Sequence, residues 1–331
     1  MKALVVSALS ADYSGCAVAE VPTPAPGAGE VRVRVMGASV NFPDLLMTRG
    51  EYQFKPPCPF IPGLDFAGVI DAVGPGVEPD RLGEAVVGGA RLGGFAEQVV
   101  TDAAAVRAKP AALTFAEAAA YPAAYLTAYV ALVRRARLEA GEWVLVHGAA
   151  GGVGLACVDL ARRLGARVIA ASASPDKLKA IEALYQPDAV VDVRAGFRDQ
   201  VKAITAGRGA DVIYDPVGGD IFDESVRCIA FDGRLLVIGF TSGRIPTVSV
   251  NMPLIKGFSV VGVRAGEYGR QFPERGRENI AAIDALAGEG AIRPHVHAEL
   301  PLSRWREGFD LLSTRQVVGK VILRPDLADR P

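Results

Sequence analysis

The stretch Gly148-Ala149-Ala150-Gly151-Gly152-Val153-Gly154 is where residue type and spacing speak most directly of chemistry. An apolar run, Trp143-Val144-Leu145-Val146, precedes it. A helical pattern follows, with Leu155, Val158, Leu160, Ala161 and Leu164 apolar and Arg162 and Arg163 on the other face. A helix N-terminus offers unpaired N–H groups and the positive end of the helix dipole, and glycines let a pyrophosphate approach the backbone. In a chain with 37 glycines a triplet alone also describes a plain tight turn. The strand before it and the helix after it favour a dinucleotide cradle formed by Gly148, Ala149, Gly151, Gly152, Val153 and Gly154.

The next apolar run, Arg167 to Ala171, ends in Ser172-Ala173-Ser174-Pro175-Asp176-Lys177. In a dinucleotide fold an acid at this strand tip takes the ribose 2′-hydroxyl and selects NAD. Here the tip carries hydroxyls, with Lys177 close behind, which suits a 2′-phosphate, so NADPH is favoured over NADH. Ser174, Pro175 and Asp176 are equally the residues expected at the start of a helix, and both roles are compatible.

These residues need elements to hold them. From about residue 143 strand candidates (143–147, 167–171, 189–192, 211–214, 234–238, 258–263) alternate with helical patterns (151–164, 175–185, 197–206, 220–230), which predicts an α/β fold with a doubly wound parallel sheet. Earlier, Lys2 to Val6 reads as a strand, and Glu30 to Val35 alternates strictly, a strand with one wet face. Residues 64–108 alternate short apolar runs with Gly and Pro, as a compact β domain does. Thr114-Phe-Ala-Glu117 has the spacing of a capping box and opens two helical stretches divided near Pro122. After residue 265 come a helix over 276–288, a strand near 295–300, a helix from Ser303 and a last strand from Gly319. This tail is assigned back to the first domain, with the default site in a cleft between the two.

Composition bounds the function. The 331 residues are 50% hydrophobic and 22% charged with net charge −1, which disfavours a general nucleic-acid binder. Cys16, Cys58, Cys157 and Cys228 form no C-x-x-C pair and suit a reducing cytoplasmic setting, and no apolar window reads as a membrane span.

Several motifs, in order, resemble the zinc-independent NADPH:quinone oxidoreductases of the medium-chain dehydrogenase/reductase superfamily. They are Asn41-Phe-Pro-Asp44, Pro62-Gly-Leu-Asp-Phe-Ala-Gly68, Tyr125-Leu-Thr-Ala128, the glycine turn, and Gly319-Lys320-Val321. The resemblance implies a GroES-like β domain over residues 1–123 and 265–331 and an inserted Rossmann NADPH-binding domain over 124–264. It also implies a homodimer joined partly through the last Rossmann strand. Zinc-dependent relatives carry Gly-His-Glu where this chain has Gly63-Leu64-Asp65, and a cysteine-rich lobe that is absent. His147, His295 and His297 with the scattered cysteines assemble no zinc ligand set.

The resemblance places Asn41 near the nicotinamide and substrate, although an Asn there can also serve its own turn. Asp44 is expected to orient a neighbour or cap a helix. Tyr52 occupies a place comparable to the proton-donating tyrosine of mitochondrial-type 2-enoyl thioester reductases, or it packs on the proline loop. Arg264 is a candidate for substrate or cofactor contact, or for an ion pair. Thr127, Phe240 and Lys320 are expected near the cofactor. Val193 replaces a family tyrosine at the phosphate pocket, and Arg194 is the candidate replacement charge. The expected activity is hydride transfer from NADPH to quinones or similar conjugated carbonyls. The alternatives are an enoyl thioester or enone reductase, and an NADPH-binding protein with little turnover.

Overall fold

Strictly alternating and fully apolar strands sort into two different sheets. The structure, a computed structural model, describes residues 1–327. It divides into two units: Met1–Ala123 with the chain from Pro294 onward, and Ala124–Arg293.

The first unit holds β1 (Lys2–Val6) and β2 (Cys16–Glu20), paired antiparallel, and a larger mixed sheet. That sheet uses β3 (Glu30–Ser39), β4 (Asp65–Val73), β5 (Ala85–Gly89), β6 (Gln98–Asp102) and β7 (Val106–Ala108). The alternation of β3 is realised: Val31, Val33 and Val35 are buried, and Arg32 reaches outward to Asp71 at 2.7 Å. Gly68 in β4 lies against β3 so closely that a Cβ there would sit 2.1 Å from the Arg34 carbonyl oxygen. Phe66, Phe95, Phe309 and Leu4 fill the core, with Tyr13 and Trp305 edge-on to Phe309.

The second unit is a six-stranded parallel sheet. Its strands are β8 (Trp143–Val146), β9 (Arg167–Ser172), β10 (Ala189–Asp192), β11 (Ala210–Asp215), β12 (Ile229–Val237) and β13 (Ser259–Gly262). Their order is β10-β9-β8-β11-β12-β13. The chain starts in the middle, winds outward one way and then the other, so the order reverses between β8 and β11. Ligands of doubly wound sheets bind at the carboxyl ends of the strands at such a point. Every residue of β11 is buried, as expected for a strand covered on both faces.

The chain then returns to the first unit as β14 (Val296–Pro301) and β15 (Lys320–Arg324), parallel to each other. β15 lies antiparallel to β3, with Ile322 opposite Ser39. This register sets Lys320 beside Val40 and Asn41, and the Val40 N–H donates to the Val321 carbonyl at 2.9 Å.

Three details differ from the sequence expectations. The second division between units falls after Arg293 rather than after residue 264. The helix Pro273–Gly288 is fastened within the second unit: Arg134 donates to Asn279 Oδ1 at 2.7 Å and pairs with Glu278. Periodicity identifies such a helix but not the unit it packs on. The helix expected over 220–230 stops at Ser225, because Ile229 and Ala230 already belong to β12. The second helix after Pro122 continues as a π-helix over Val130–Ala136 and ends at the left-handed Arg137.

Candidate cofactor and active site

In the second unit the glycine turn joins β8 to the helix Gly152–Arg163. Gly148 is left-handed, with φ +55°, and a Cβ on Gly154 would lie 2.3 Å from the Gly148 carbonyl oxygen. The turn's own closure therefore requires glycine at Gly154, and the left-handed backbone favours it at Gly148. Gly151 is the N-cap residue, and no side chain caps this helix start. The N–H groups of its first turn, at Gly152, Val153 and Gly154, are the ones an anion would meet. The Ala149 N–H donates to the Ala171 carbonyl at 3.2 Å, which ties the turn to the end of β9.

Ser172 closes β9, and its hydroxyl accepts from the Ser174 N–H at 3.2 Å. Ser174 is the N-cap of the helix Pro175–Tyr185, yet its hydroxyl makes no capping bond. The Asp176 carboxylate stands out in solvent, 3.7 Å from Lys179. Lys177 is half-buried on the same helix. Arg194 follows β10 and folds back on Asp192 at 2.6 Å, so much of its charge is met locally.

One part of this rim escaped the sequence reading. The buried Asp215 ends β11, and its carboxylate accepts from the N–H groups of Val217 and Gly218 at 2.8 and 2.9 Å. Burial raises its pKa and these two bonds oppose the rise. The turn it shapes is laced to the loop after β12: Thr241 N–H donates to Pro216 O, Ser242 N–H to Val217 O and Gly219 N–H to Arg244 O. Gly218 is left-handed, and a Cβ there would meet the Phe240 ring at 2.9 Å. The available signal was an acid at a strand end followed by Pro-Val-Gly-Gly. Thr127 is half-buried on the helix Pro122–Tyr129. Arg264 stands at the N-cap position of the helix Ala265–Gln271 without a side-chain capping bond and is exposed, 4.0 Å from Glu267.

His147, at the end of β8, is sealed in the core. Its Nε2 lies 2.9 Å from the Ser225 hydroxyl and its ring meets Phe197 edge-on. Burial pushes its pKa down to about 3, so the ring is neutral.

In the first unit a polar cluster is built around Asn41. Asn41 precedes the helix Phe42–Thr48, and its N–H donates to Asp44 Oδ2 at 2.8 Å. Asp44 Oδ1 accepts from the Gly63 N–H at 3.1 Å. The Asn41 amide donates to Asp65 Oδ2 at 3.0 Å and to the Ser39 carbonyl at 3.1 Å. Its oxygen accepts from Lys320 Nζ at 2.6 Å, and the same ammonium donates to the Val40 carbonyl. Burial pushes Asp44 up to about 7, against the N–H groups of Asn41 and Gly63 that hold it down. Burial also raises Asp65, opposed first by Lys320 and then by Asn41. Lys320 is lowered by burial and held up by Asp65 and Asp44.

Asp44 thus orients neighbouring backbone, as its position suggested. The Lys320 ammonium is buried and bonded to Asn41 and Val40, because β15 places it inside this cluster. Tyr52 is half-buried against the hydrophobic core of the first unit.

Residues 27–111 match the alcohol dehydrogenase GroES-like domain family, and residues 152–283 match the zinc-binding dehydrogenase family. Mouse quinone oxidoreductase-like protein 2 is 37% identical over 298 residues, which cover 90% of this chain and 85% of that one. A mycobacterial protein solved in complex with NADPH superimposes with a TM-score of 0.89 at 29% identity, covering 98% of this chain and all of the other (100%). Escherichia coli quinone oxidoreductase, also solved with NADPH, gives 0.89 at 26% identity, with coverage of 98% and 100%. A GroES-like unit and a Rossmann-type parallel sheet with a glycine turn define an oxidoreductase of the medium-chain dehydrogenase/reductase superfamily. Within that superfamily, the chain belongs to the quinone oxidoreductase family.

Proposed function

We propose that this protein is an NADPH-dependent, zinc-independent reductase that delivers hydride to quinones or similar conjugated carbonyls. The observation that carries the reading is the uncapped, glycine-lined start of the helix Gly152–Arg163 beside a β9 tip that ends in serines rather than a carboxylate. The cradle fits a pyrophosphate: a Cβ at Gly154 would collide with the turn, and the first-turn N–H groups of Gly152, Val153 and Gly154 have no side-chain cap. Ser172, Ser174 and Lys177 supply donors for a 2′-phosphate, with Arg194 in reserve if its pairing with Asp192 opens.

When bound, NADPH would supply the hydride, and the residues of the chain bind and orient it. Asn41 is the first-unit residue assigned to the nicotinamide and substrate. Tyr52 and Arg264 are the side chains offered for the proton and for negative charge on the substrate. A quinone accepts hydride readily and its ring spreads the resulting charge, so strong general acid help is not essential. Zinc independence rests on donor chemistry: Leu64 offers no ligand atom, and the buried cation facing Asp44 and Asp65 is the Lys320 ammonium. Among the described residues no group of three or more His, Cys, Asp or Glu side chains is disposed to hold a metal. The four unpaired cysteines support a reducing, cytoplasmic setting. Among the described residues no helix is long and apolar enough to cross a membrane.

Steady-state rates with NADPH and NADH against 1,4-benzoquinone, 9,10-phenanthrenequinone and crotonyl-CoA test the reading. NADPH with the quinones is expected to give the highest kcat/KM. Turnover of crotonyl-CoA alone, abolished by Tyr52→Phe, would replace it with an enoyl thioester reductase.

A further inference from the structure

The bonding of Asn41 fixes how its amide is oriented. A side-chain amide has two N–H donors and an oxygen with two lone pairs. Both Asn41 donors are used, one on Asp65 Oδ2 at 3.0 Å and one on the Ser39 carbonyl at 3.1 Å. One lone pair is used by Lys320 Nζ at 2.6 Å. Which end of an amide is oxygen must be assigned from its partners, and here the partners decide it. A lysine ammonium only donates, and a backbone carbonyl only accepts. Turning the amide over would set its NH2 against the ammonium and its oxygen against the carbonyl and the carboxylate. Three bonds would be lost, two of them with charged partners.

We propose that Lys320 and Asp65 are positioning residues that lock Asn41 as a hydrogen-bond acceptor, so that the ligand group it meets is an N–H or O–H donor rather than the carbonyl that takes up negative charge. This rests on the reading that Asn41 borders the reacting groups. Two donors of the right chemistry are available: the carboxamide NH2 of the nicotinamide and the hydroxyl of the quinol product. The carbonyl that receives hydride must find its donor elsewhere, and Tyr52 and Arg264 carry N–H or O–H groups that Asn41 does not have to spare. The lock is assembled from three separate segments: β15 brings Lys320, β4 brings Asp65, and the end of β3 brings the Ser39 carbonyl.

The test begins with the intact, 15N-labelled protein. The Asn41 side-chain NH2 protons are expected to exchange with solvent far more slowly than those of exposed asparagines, and free exchange would overturn the lock. Kinetics with NADPH and 1,4-benzoquinone then compare Asn41→Leu, Lys320→Met and Lys320→Arg. Asn41→Leu and Lys320→Met are each expected to lose about tenfold in kcat/KM, the equivalent of one hydrogen bond, while Lys320→Arg recovers most of it. Two probes separate the donors. An NADPH analogue with 3-acetylpyridine in place of the carboxamide removes the N–H, and 1,4-dimethoxybenzene in place of hydroquinone as an inhibitor removes the O–H. The wild type should discriminate against at least one of these, and Asn41→Leu should not.

If Asn41→Leu keeps full activity, the placement of Asn41 at the reacting groups fails. If Asn41→Leu is impaired while a folded Lys320→Met is not, or if neither probe is discriminated, the positioning proposal alone fails. Should Lys320→Met not fold, Lys320→Arg and the exchange measurement decide: an arginine variant that folds but stays as slow as Asn41→Leu counts against the proposal.

Discussion

His147 and Asp44 are buried titratable residues whose contributions to stability run in opposite directions with pH. The pKa of His147 falls from 6.5 unfolded to about 3 folded. The neutral ring therefore favours the fold above pH 6.5, and this contribution is lost as the pH falls toward 3, by about 1.4 kcal/mol per pH unit at most. Asp44 moves the other way, from 3.8 to about 7, so its burial disfavours the fold increasingly as the pH rises through that window. Between about pH 4 and 6.5 the two slopes oppose each other. His147→Gln should remove the first slope and leave the second, so its unfolding free energy should hold steady or rise on acidification relative to the wild type. Urea denaturation of both proteins across that range checks this; parallel curves would show that the ring is not held neutral. The residue scale is also where the sequence was least informative. Lys320 and Asn41 lie 279 positions apart and Asp65 and Asn41 lie 24 apart, so no local pattern announces their cluster. Asn41 and Asp44 are legible because a short motif contains both; the bond from Lys320 to Asn41 is not, because only the register of β15 on β3 brings the two together.

At the scale of elements, the β8 turn and the β9 tip carry the cofactor reading. Gly154→Ala puts a methyl 2.3 Å from the Gly148 carbonyl, which the turn can relieve only by opening. The expected result is loss of NADPH binding together with about 1–3 kcal/mol of stability, read by fluorescence titration and thermal melts. Ser174→Asp should leave the fold intact, since Asp is an equally good N-cap residue. A carboxylate near a 2′-phosphate adds about 1–2 kcal/mol of repulsion, so NADPH affinity should drop about tenfold while NADH affinity holds or improves. An unchanged NADPH affinity would place the 2′-phosphate away from this tip. These elements were legible because strand, turn and helix are contiguous and their periods differ. The Asp215 turn is harder to read from sequence, since its meaning depends on the loop after β12 that closes over it. The end of the second unit at Arg293 was hidden for a similar reason: the Arg293 N–H donates to Asp159, whose carboxylate also accepts from the Tyr125 hydroxyl, a pairing of distant segments.

At the scale of the whole molecule, β13 is the edge of the parallel sheet, with Val260 partly exposed and Phe231, Val250, Leu254 and Ile255 between 71% and 85% exposed. An edge flanked by large apolar side chains calls for a cover, and the proposed cover is a second copy of the chain. Size-exclusion chromatography with light scattering should report a dimer, and Leu254→Asp with Ile255→Asp should shift it toward monomer. A wild-type monomer at micromolar concentration would rule out that assembly. The claim on which everything else depends is hydride transfer from NADPH to a quinone without metal. A single-turnover experiment addresses it most directly: enzyme extensively treated with chelator, loaded with NADPH, is mixed rapidly with 1,4-benzoquinone and the loss of reduced nicotinamide is followed. Oxidation much faster than in the enzyme-free mixture is expected, at a rate unchanged when zinc is restored. Oxidation no faster than that background, or seen only after zinc is returned, would contradict it.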